Sequence, residues 1–105
     1  GLWAQPRLQE AGGGLRAPGD SVSLSCRLSS SAFEGYTIRW YRQAPGGSLE
    51  WVSLISFSDS VQKYGAAVEG QAEASRDSFQ SQSSLFLWAP HLSTSTHYFC
   101  AFSQG

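Results

Sequence analysis

Between residues 21 and 28, polar and apolar side chains alternate strictly: Ser21-Val22-Ser23-Leu24-Ser25-Cys26-Arg27-Leu28. Successive side chains of a β-strand point to opposite faces, so this period of two predicts a half-buried strand. Its apolar face, from Val22 to Leu28, would lie on a protein core while its serines face water. An amphipathic helix would instead repeat its apolar residues every three or four positions.

Turn signals flank this strand and recur along the chain. Pro18-Gly19-Asp20 precedes it, and Ala44-Pro45-Gly46-Gly47 follows a second run that is rich in β-branched and aromatic residues. The strands predicted after the first one cover residues 37–42, 49–57, 84–88 and 96–102. Short strands that are separated by turns about every 8–12 residues predict an all-β sandwich.

Length and charge limit the possible functions. The 105 residues suffice for one domain with one core. The seven basic residues are scattered and the formal net charge is −1, so a nucleic-acid partner has no electrostatic support. No stretch approaches the roughly 18 consecutive apolar residues of a membrane span. We therefore expect no nucleic-acid partner and no direct membrane contact by this domain.

The chain has two cysteines, Cys26 and Cys100. They do not form a C-x-x-C pair and no histidine lies near Cys26, so we expect no metal site. Two cysteines near opposite ends of a small chain most simply form one disulfide. It would stabilise the fold by about 4.5 kcal/mol and would imply an oxidising compartment. The alternative at this point is a pair of reduced, buried thiols in a cytosolic protein.

Strand alternation also predicts an unusual outer surface. If the two cysteines are bonded, Cys100 points into the core, Tyr98 points the same way, and Phe99 points outward. Trp40 is the natural aromatic residue to cover a buried disulfide, and an inward Trp40 turns Tyr41 outward. Large apolar side chains on the outer face of a sheet usually have a partner. We therefore expect this face to be a contact surface.

Six motifs occur in order at the spacings of a known family. They are Gly12-Gly13-Gly14-Leu15, Ser23-Leu24-Ser25-Cys26, Trp40-Tyr41-Arg42-Gln43-Ala44-Pro45-Gly46, Leu49-Glu50-Trp51-Val52, Ser75-Arg76-Asp77 and Tyr98-Phe99-Cys100-Ala101. Together they resemble the variable domain of an antibody heavy chain, over residues 8–101. The resemblance implies an all-β immunoglobulin V-type Greek-key sandwich, whose two antiparallel sheets are bridged by a Cys26–Cys100 disulfide. Trp40, Leu87 and Tyr98 would lie in its core.

The same resemblance implies two binding surfaces. The sheet that carries Trp40 would pack on a second variable domain, which is light-chain-like or from a T-cell receptor chain. The matching contact positions are Tyr41, Gln43, Leu49, Trp51 and Phe99. Loops at about 29–37, at about 56–64 and after residue 101 would bind a protein or other antigen. The contact residues expected there are Phe33, Glu34, Tyr36, Ser56, Phe57, Ser58, Asp59 and Phe102.

The chain departs from the heavy-chain pattern in two places. Gln71 and Thr94 stand where heavy-chain domains usually have an arginine and an aspartate that pair. This leaves open a heavy-like variable domain of a T-cell receptor, such as a δ chain. Only five residues follow Cys100. We therefore expect residues 1–105 to be a single V-type domain that lacks most of the third loop and the final strand.

Other functions remain as alternatives. One is a non-rearranging Ig-family domain for cell-surface adhesion or regulation, and another is a surrogate chain that pairs but binds nothing. Catalysis is not expected, because no serine has a G-x-S-x-G setting and no carboxylate pair has a framing motif. No cofactor is indicated. The resemblance implies an extracellular location, either secreted or in the ectodomain of a cell-surface receptor.

Two aromatic residues fall outside these surfaces. Phe86 and Trp88 alternate along the strand with the apolar residues Leu85 and Leu87. Their positions in the sequence (parity) therefore predict that they face outward on the other sheet. They would form a second contact surface, or Trp88 would pack locally under the N-terminal strand or an adjacent loop. On the first surface, the alternative to pairing is a lone domain that covers its aromatic residues with its own third loop.

Overall fold

A computed structural model gives the fold and describes residues 8–13, 21–28, 35–56, 58, 62–77, 80–88 and 95–104. Eight strands are found in this part of the chain. They are β1 (Gln9–Glu10), β2 (Val22–Arg27), β3 (Tyr36–Gln43), β4 (Glu50–Ile55), β5 (Gln62–Tyr64), β6 (Ala72–Asp77), β7 (Gln82–Leu87) and β8 (His97–Gln104).

The strands form two antiparallel sheets. One has five strands in the order β1-β8-β3-β4-β5, and the other has three in the order β2-β7-β6. β8 returns beside β3, and β7 returns beside β2. The chain therefore crosses between the sheets instead of meandering through one of them. This arrangement confirms the predicted V-type β-sandwich.

The core lies between the sheets and is closed by a disulfide. In β2 the predicted alternation is observed, because Val22 and Leu24 are buried while Ser23 is exposed. Cys26 of β2 is bonded to Cys100 of β8, and their Cα atoms are 6.5 Å apart. The bond joins the two sheets, which confirms the predicted pairing and excludes the reduced thiols.

Trp40 also links the two sheets. The three residues expected in the core, Trp40, Leu87 and Tyr98, are each at most 3% exposed. The Trp40 Nε1–H donates a hydrogen bond to Ser83 Oγ at 3.1 Å, and the Ser83 hydroxyl donates to the Ser75 carbonyl at 3.0 Å. An indole N–H that is buried without an acceptor would be costly. These hydrogen bonds therefore satisfy the indole and connect β3 to β7 and β6.

A bulge in β4 shapes the outer face of the five-stranded sheet. Trp40 is opposite Ser53 but Tyr41 is opposite Trp51, so Val52 is an extra residue on β4. Val52 and Ser53 are both fully buried. The bulge therefore reverses the side-chain alternation and brings Trp51 to the outer face.

Sequence periodicity did not predict three of the strands. β1 and β5 have two and three residues, which is at or below the usual lower limit for strands. β6 buries only Ala72 and Ala74, and alanine gives a weak apolar signal. β8 continues to Gln104, two residues past its predicted end.

Candidate functional site

Three aromatic side chains lie side by side on the outer face of the five-stranded sheet. Tyr41 in β3 is opposite Phe99 in β8 on one side and Trp51 in β4 on the other. Adjacent strands are about 4.8 Å apart, so the three side chains cross the middle of the sheet. Trp51 is 38% exposed, and the other two are partly exposed. We name this set the aromatic row.

Leu49 and Gln43 extend this surface towards the turn between β3 and β4. Leu49 is 43% exposed, and alternation places it on the same side as Trp51. Gln43 donates a hydrogen bond from Nε2 to the Gly47 carbonyl at 2.9 Å. Gly46 has a φ of 73°, which glycine adopts at little steric cost. The five residues expected to face a partner therefore share one face of the sheet.

An ion pair beside this surface joins β3 to β4. Arg42 Nε lies 2.7 Å from Glu50 Oε1. Burial alone would lower the pKa of Arg42, but the hydrogen bond with Glu50 and the proximity of Tyr98 hold this pKa above its ordinary value. Arg42 therefore stays cationic and fixes the start of β4, which carries Trp51.

Tyr98 lies behind the sheet with its hydroxyl buried. Burial raises the pKa of Tyr98, and the nearby Arg42 guanidinium opposes this only in part. Within the described part of the chain, the Tyr98 hydroxyl has no hydrogen-bond partner of normal geometry. The phenol is therefore held neutral in the core, with the Arg42 guanidinium nearby.

The edge of the same face carries a polar contact between β8 and β1. His97 Nδ1 lies 2.6 Å from Glu10 Oε2, and both side chains are more than half exposed. The His97 ring stacks on Phe99, with ring centroids 6.4 Å apart. His97, Phe99 and residues 43–47 help to line an open groove. An open groove with polar and apolar lining residues thus adjoins the aromatic row.

The expected antigen contacts are only partly described. Tyr36 is the first residue of β3 and packs partly against the core. Ser56 follows β4, and its hydroxyl is 3.4 Å from that of the exposed Ser58. These three residues belong to the end of the sheet opposite the β3–β4 turn. Four other expected contacts lie outside the described residues: Phe33, Glu34, Phe57 and Asp59.

Arg76 holds these two loop regions together, a role that its sequence motif does not predict. It lies in β6, and its guanidinium donates hydrogen bonds to the Ser56 carbonyl at 2.7 Å and to the Tyr36 carbonyl at 2.5 Å. Arg76 thereby fixes the start of β3 relative to the end of β4. The motif, Ser-Arg-Asp, was the only signal in the sequence, and it does not indicate which carbonyls the side chain reaches.

Phe102, which was expected among the antigen contacts, lies in the core. It lies in β8 opposite Ile38, and its side chain is 9% exposed and packs in the core. The reason is that β8 continues past Ala101, so alternation carries the inward direction from Cys100 to Phe102. A strand, not a loop, follows Ala101 as far as Gln104.

The outer face of the three-stranded sheet carries an aromatic pair, Phe86 and Trp88. Phe86 and Trp88 contact each other edge to face, with ring centroids 5.2 Å apart. Trp88 is 45% exposed, and its backbone N–H donates to the Gln71 carbonyl at 2.9 Å. Both residues therefore have the outward direction that parity predicted.

In the residue ranges described above, the structure contains no helix that is long and apolar enough to cross a membrane. The same ranges hold no group of three or more His, Cys, Asp or Glu side chains that is arranged to bind a metal ion.

A comparison with family models identifies one match. Residues 15–105 match the model described as Immunoglobulin V-set domain. The matched region includes seven of the eight described strands, β2 to β8. It therefore covers the three-stranded sheet, the five-stranded sheet apart from β1, the disulfide and the aromatic row. The match and the observed fold agree.

Proposed function

Because the chain belongs to the immunoglobulin V-set family, we propose that it is an antigen-receptor variable domain of the heavy-chain-like kind. It pairs with a second variable domain through the aromatic row, and it binds antigen through the loops beyond Tyr36 and Ser56. Its location is extracellular, secreted or in the ectodomain of a receptor, where a disulfide persists. V-set domains are in general binding domains rather than enzymes.

The observation that carries the proposal is the aromatic row together with Leu49. Trp51 and Leu49 are 38% and 43% exposed, and they adjoin Tyr41 and Phe99 on one face of the sheet. Scattered exposed apolar residues need no explanation, but a contiguous apolar patch indicates a contact surface. Aromatic residues are enriched where protein interfaces are fully buried. A second variable domain would remove this patch from water.

The antigen-binding part of the proposal is supported by composition and by Arg76. Residues 29–37 and 56–64 are rich in Ser, Tyr, Phe and Gly, which is typical of antigen-binding loops. The hydrogen bonds of Arg76 to the Tyr36 and Ser56 carbonyls attach these two described residues, at the ends of β3 and β4, to the opposite sheet. Binding loops are commonly positioned in this way by a rigid scaffold.

A γδ-type T-cell receptor variable domain is the second candidate. The observation in its favour is Gln71, which is exposed and occupies the position where heavy chains usually have an arginine that forms an ion pair. Because Thr94 replaces the matching aspartate, the pair is lost as a whole, and no charge is left unpaired. The coordinated change is compatible with a receptor chain that is heavy-like without being an antibody segment.

Pairing can be tested with a panel of light-chain-like and T-cell receptor variable domains displayed on yeast and titrated with the soluble chain. The substitution Tyr41→Asp places a charge in the aromatic row, and we expect it to weaken the tightest pairing at least about 30-fold. Trp88→Asp is the matched control on the other sheet and should leave the affinity unchanged. If no domain of the panel binds, or if Tyr41→Asp binds as well as the unaltered chain, the pairing function is wrong.

Antigen recognition can be tested on independent transcripts that contain this segment. A third loop that differs between transcripts and is followed by a Phe/Trp-Gly-x-Gly strand would support a rearranged antigen receptor. The constant domain that follows would then separate an antibody from a T-cell receptor. One invariant continuation in every transcript would instead support a non-rearranging Ig-family adhesion or regulatory domain.

A further inference from the structure

Arg39 lies on the outer face of the five-stranded sheet, beside the aromatic row. It precedes Tyr41 by two residues on β3, which is about 7 Å along the strand, and alternation places both on the same face. Its neighbours across the sheet are Ala101 in β8 and Leu54 in β4. Arg39 is therefore continuous with the proposed pairing surface.

The hydrogen bonding of Arg39 is incomplete. Its Nη1 donates to Ser103 Oγ at 2.9 Å in a partly buried position. A guanidinium has five N–H donors, and among the described residues no carboxylate contacts Arg39. In contrast, Arg42 pairs with Glu50 and Arg76 donates to two carbonyls. Of these three arginines, Arg39 is the one whose acceptor in the described part of the chain is a single neutral hydroxyl.

The surroundings of Arg39 add positive charge. Lys63 in β5 is opposite Leu54, so it lies two strands from Arg39, or roughly 10 Å. The described carboxylates on the strands of this sheet, Glu10 and Glu50, are engaged by His97 and Arg42. Within the described part of the chain, the half of the face around Arg39 therefore carries two cations and no carboxylate to balance them.

We propose that Arg39 is a carboxylate-binding site and that its ligand is an aspartate or glutamate side chain of the second variable domain. The inference rests on the pairing function proposed above. A partner that covers the aromatic row also removes water from Arg39. A guanidinium that is buried there with the Ser103 hydroxyl but no carboxylate as acceptor would carry a large desolvation penalty. A carboxylate accepts two parallel N–H bonds from the guanidinium fork, while Ser103 orients the guanidinium.

The position of Arg39 favours the partner domain over the antigen as the source of the carboxylate. Arg39 lies within a strand at the middle of the sheet and is adjacent to the aromatic row. Tyr36, the described loop-end residue on the same strand, is three positions away, about 10 Å. The site would therefore select partners that place an acid opposite β3, because partners with an apolar or basic residue there would leave the charge unpaired.

The test uses the displayed panel of variable domains and soluble chains that carry wild-type Arg39, Arg39→Gln or Arg39→Lys. We expect Arg39→Gln to weaken the tightest pairing about 30-fold or more, the factor that corresponds to a truncated interfacial charge pair. Arg39→Lys keeps the charge but loses the fork, so its loss should be smaller. Arg27→Gln removes a cation from the other sheet and is the matched control. Thermal unfolding of every variant verifies that each one folds.

The partner's side of the contact is tested by replacing, one at a time, each Asp and Glu of its pairing face with Asn or Gln. One such replacement should weaken binding as much as Arg39→Gln does, and the two changes together should cost no more than either one alone. Equal affinities of wild type and Arg39→Gln would overturn the site while leaving pairing intact. If Arg39→Gln weakens binding but no replacement of a partner Asp or Glu does the same, the ligand of Arg39 is not a partner carboxylate. Failure of every domain to bind the wild type would instead refute the pairing function itself.

Discussion

The two sheets of this domain differ in the side chains on their outer faces. On the three-stranded sheet, one of the outward rows that cross all three strands is Ser25, Ser84 and Ser75, and the neighbouring outward row has Phe86 between Ser23 and Glu73. On the five-stranded sheet, the comparable row is Phe99, Tyr41 and Trp51. Both faces follow the same alternation and cover the same core. Folding does not require three adjacent aromatic residues across an outer face, so the contiguous aromatic row of the five-stranded sheet points to a contact surface.

The backbones of the two sheets also differ, because the three-stranded sheet is regular and the five-stranded sheet is not. The three-stranded sheet keeps an unbroken register over six rows. The five-stranded sheet has the bulge at Val52, a turn with Gly46 in a left-handed conformation, and the Arg42–Glu50 ion pair. These irregular features all lie next to the aromatic row, where they set the direction of Trp51. The regular sheet thus serves the fold, whereas the irregular sheet also presents a surface.

The largest predicted effect removes the bond that holds the two faces together. Replacing Cys26 and Cys100 with alanine should lower the free energy of unfolding by about 4.5 kcal/mol, because the unfolded chain regains the freedom of a loop of 74 residues' separation. Urea denaturation measures it, with Ser48→Ala, an exposed position, as the control. Both faces should be lost in one transition. A loss below about 1 kcal/mol, or separate melting of one sheet, would contradict the single shared core.

The second effect compares two tryptophans of similar exposure on opposite faces. Trp51 is 38% and Trp88 is 45% exposed, so exposure alone predicts the same behaviour for both. If only the aromatic row binds a partner, Trp51→Ser should weaken pairing by about 2 kcal/mol or more, and Trp88→Ser should not change it. Titration of the displayed variable domains measures both. A loss with Trp88→Ser would reveal a second contact surface on the three-stranded sheet.

Much of this contrast was predictable from strand parity. The cysteines, together with Trp40, were sufficient to assign Tyr41 and Phe99 to an outer face from the sequence alone. Parity also gave the outward direction of Trp88. These predictions depend only on the period of two, which holds wherever a strand is regular.

The parts that could not be predicted are those where local pattern is weak or regularity fails. The bulge at Val52 reverses the side-chain alternation within β4, and no pattern of apolar residues in the sequence predicts it. The sequence left Phe102 both at the end of a predicted strand and among the loop contacts, because the end of β8 depends on pairing with β3, which is a long-range contact. The loop anchor Arg76 acts through backbone carbonyls distant in sequence. Residue type alone does not show which carbonyls a side chain will reach.

The third effect separates an inner serine from its outer neighbour. Ser83 is fully buried and accepts the Trp40 indole hydrogen bond, so Ser83→Ala leaves a buried N–H without its acceptor. We expect a loss of about 1–3 kcal/mol in the free energy of unfolding. Ser84→Ala, on the outer face one residue later, should stay within about 0.5 kcal/mol. Equal effects in urea denaturation would mean that the Trp40–Ser83 bond does not contribute to the joining of the sheets.

The smallest effect is a pH dependence of the free energy of unfolding that comes from the buried Tyr98. Burial raises the pKa of Tyr98 above its ordinary value of 10.0, so the folded state holds this proton more tightly than the unfolded state does. Stability from this group is therefore complete below about pH 10 and is lost as the pH rises towards the folded pKa. Tyr98→Phe should remove that loss, whereas Tyr41→Phe in the aromatic row should leave it in place.

At neutral pH the same substitution should change little. The Tyr98 hydroxyl has no hydrogen-bond partner of normal geometry in the part of the chain that the structure describes, so its removal leaves no new group unsatisfied, and we expect a change below about 1 kcal/mol. Urea denaturation of wild type, Tyr98→Phe and Tyr41→Phe at pH 7, 9 and 10.5 distinguishes the change in stability at neutral pH from the loss of stability at high pH. A Tyr98→Phe variant that loses stability above pH 10 as steeply as wild type would show that another group carries the pH dependence.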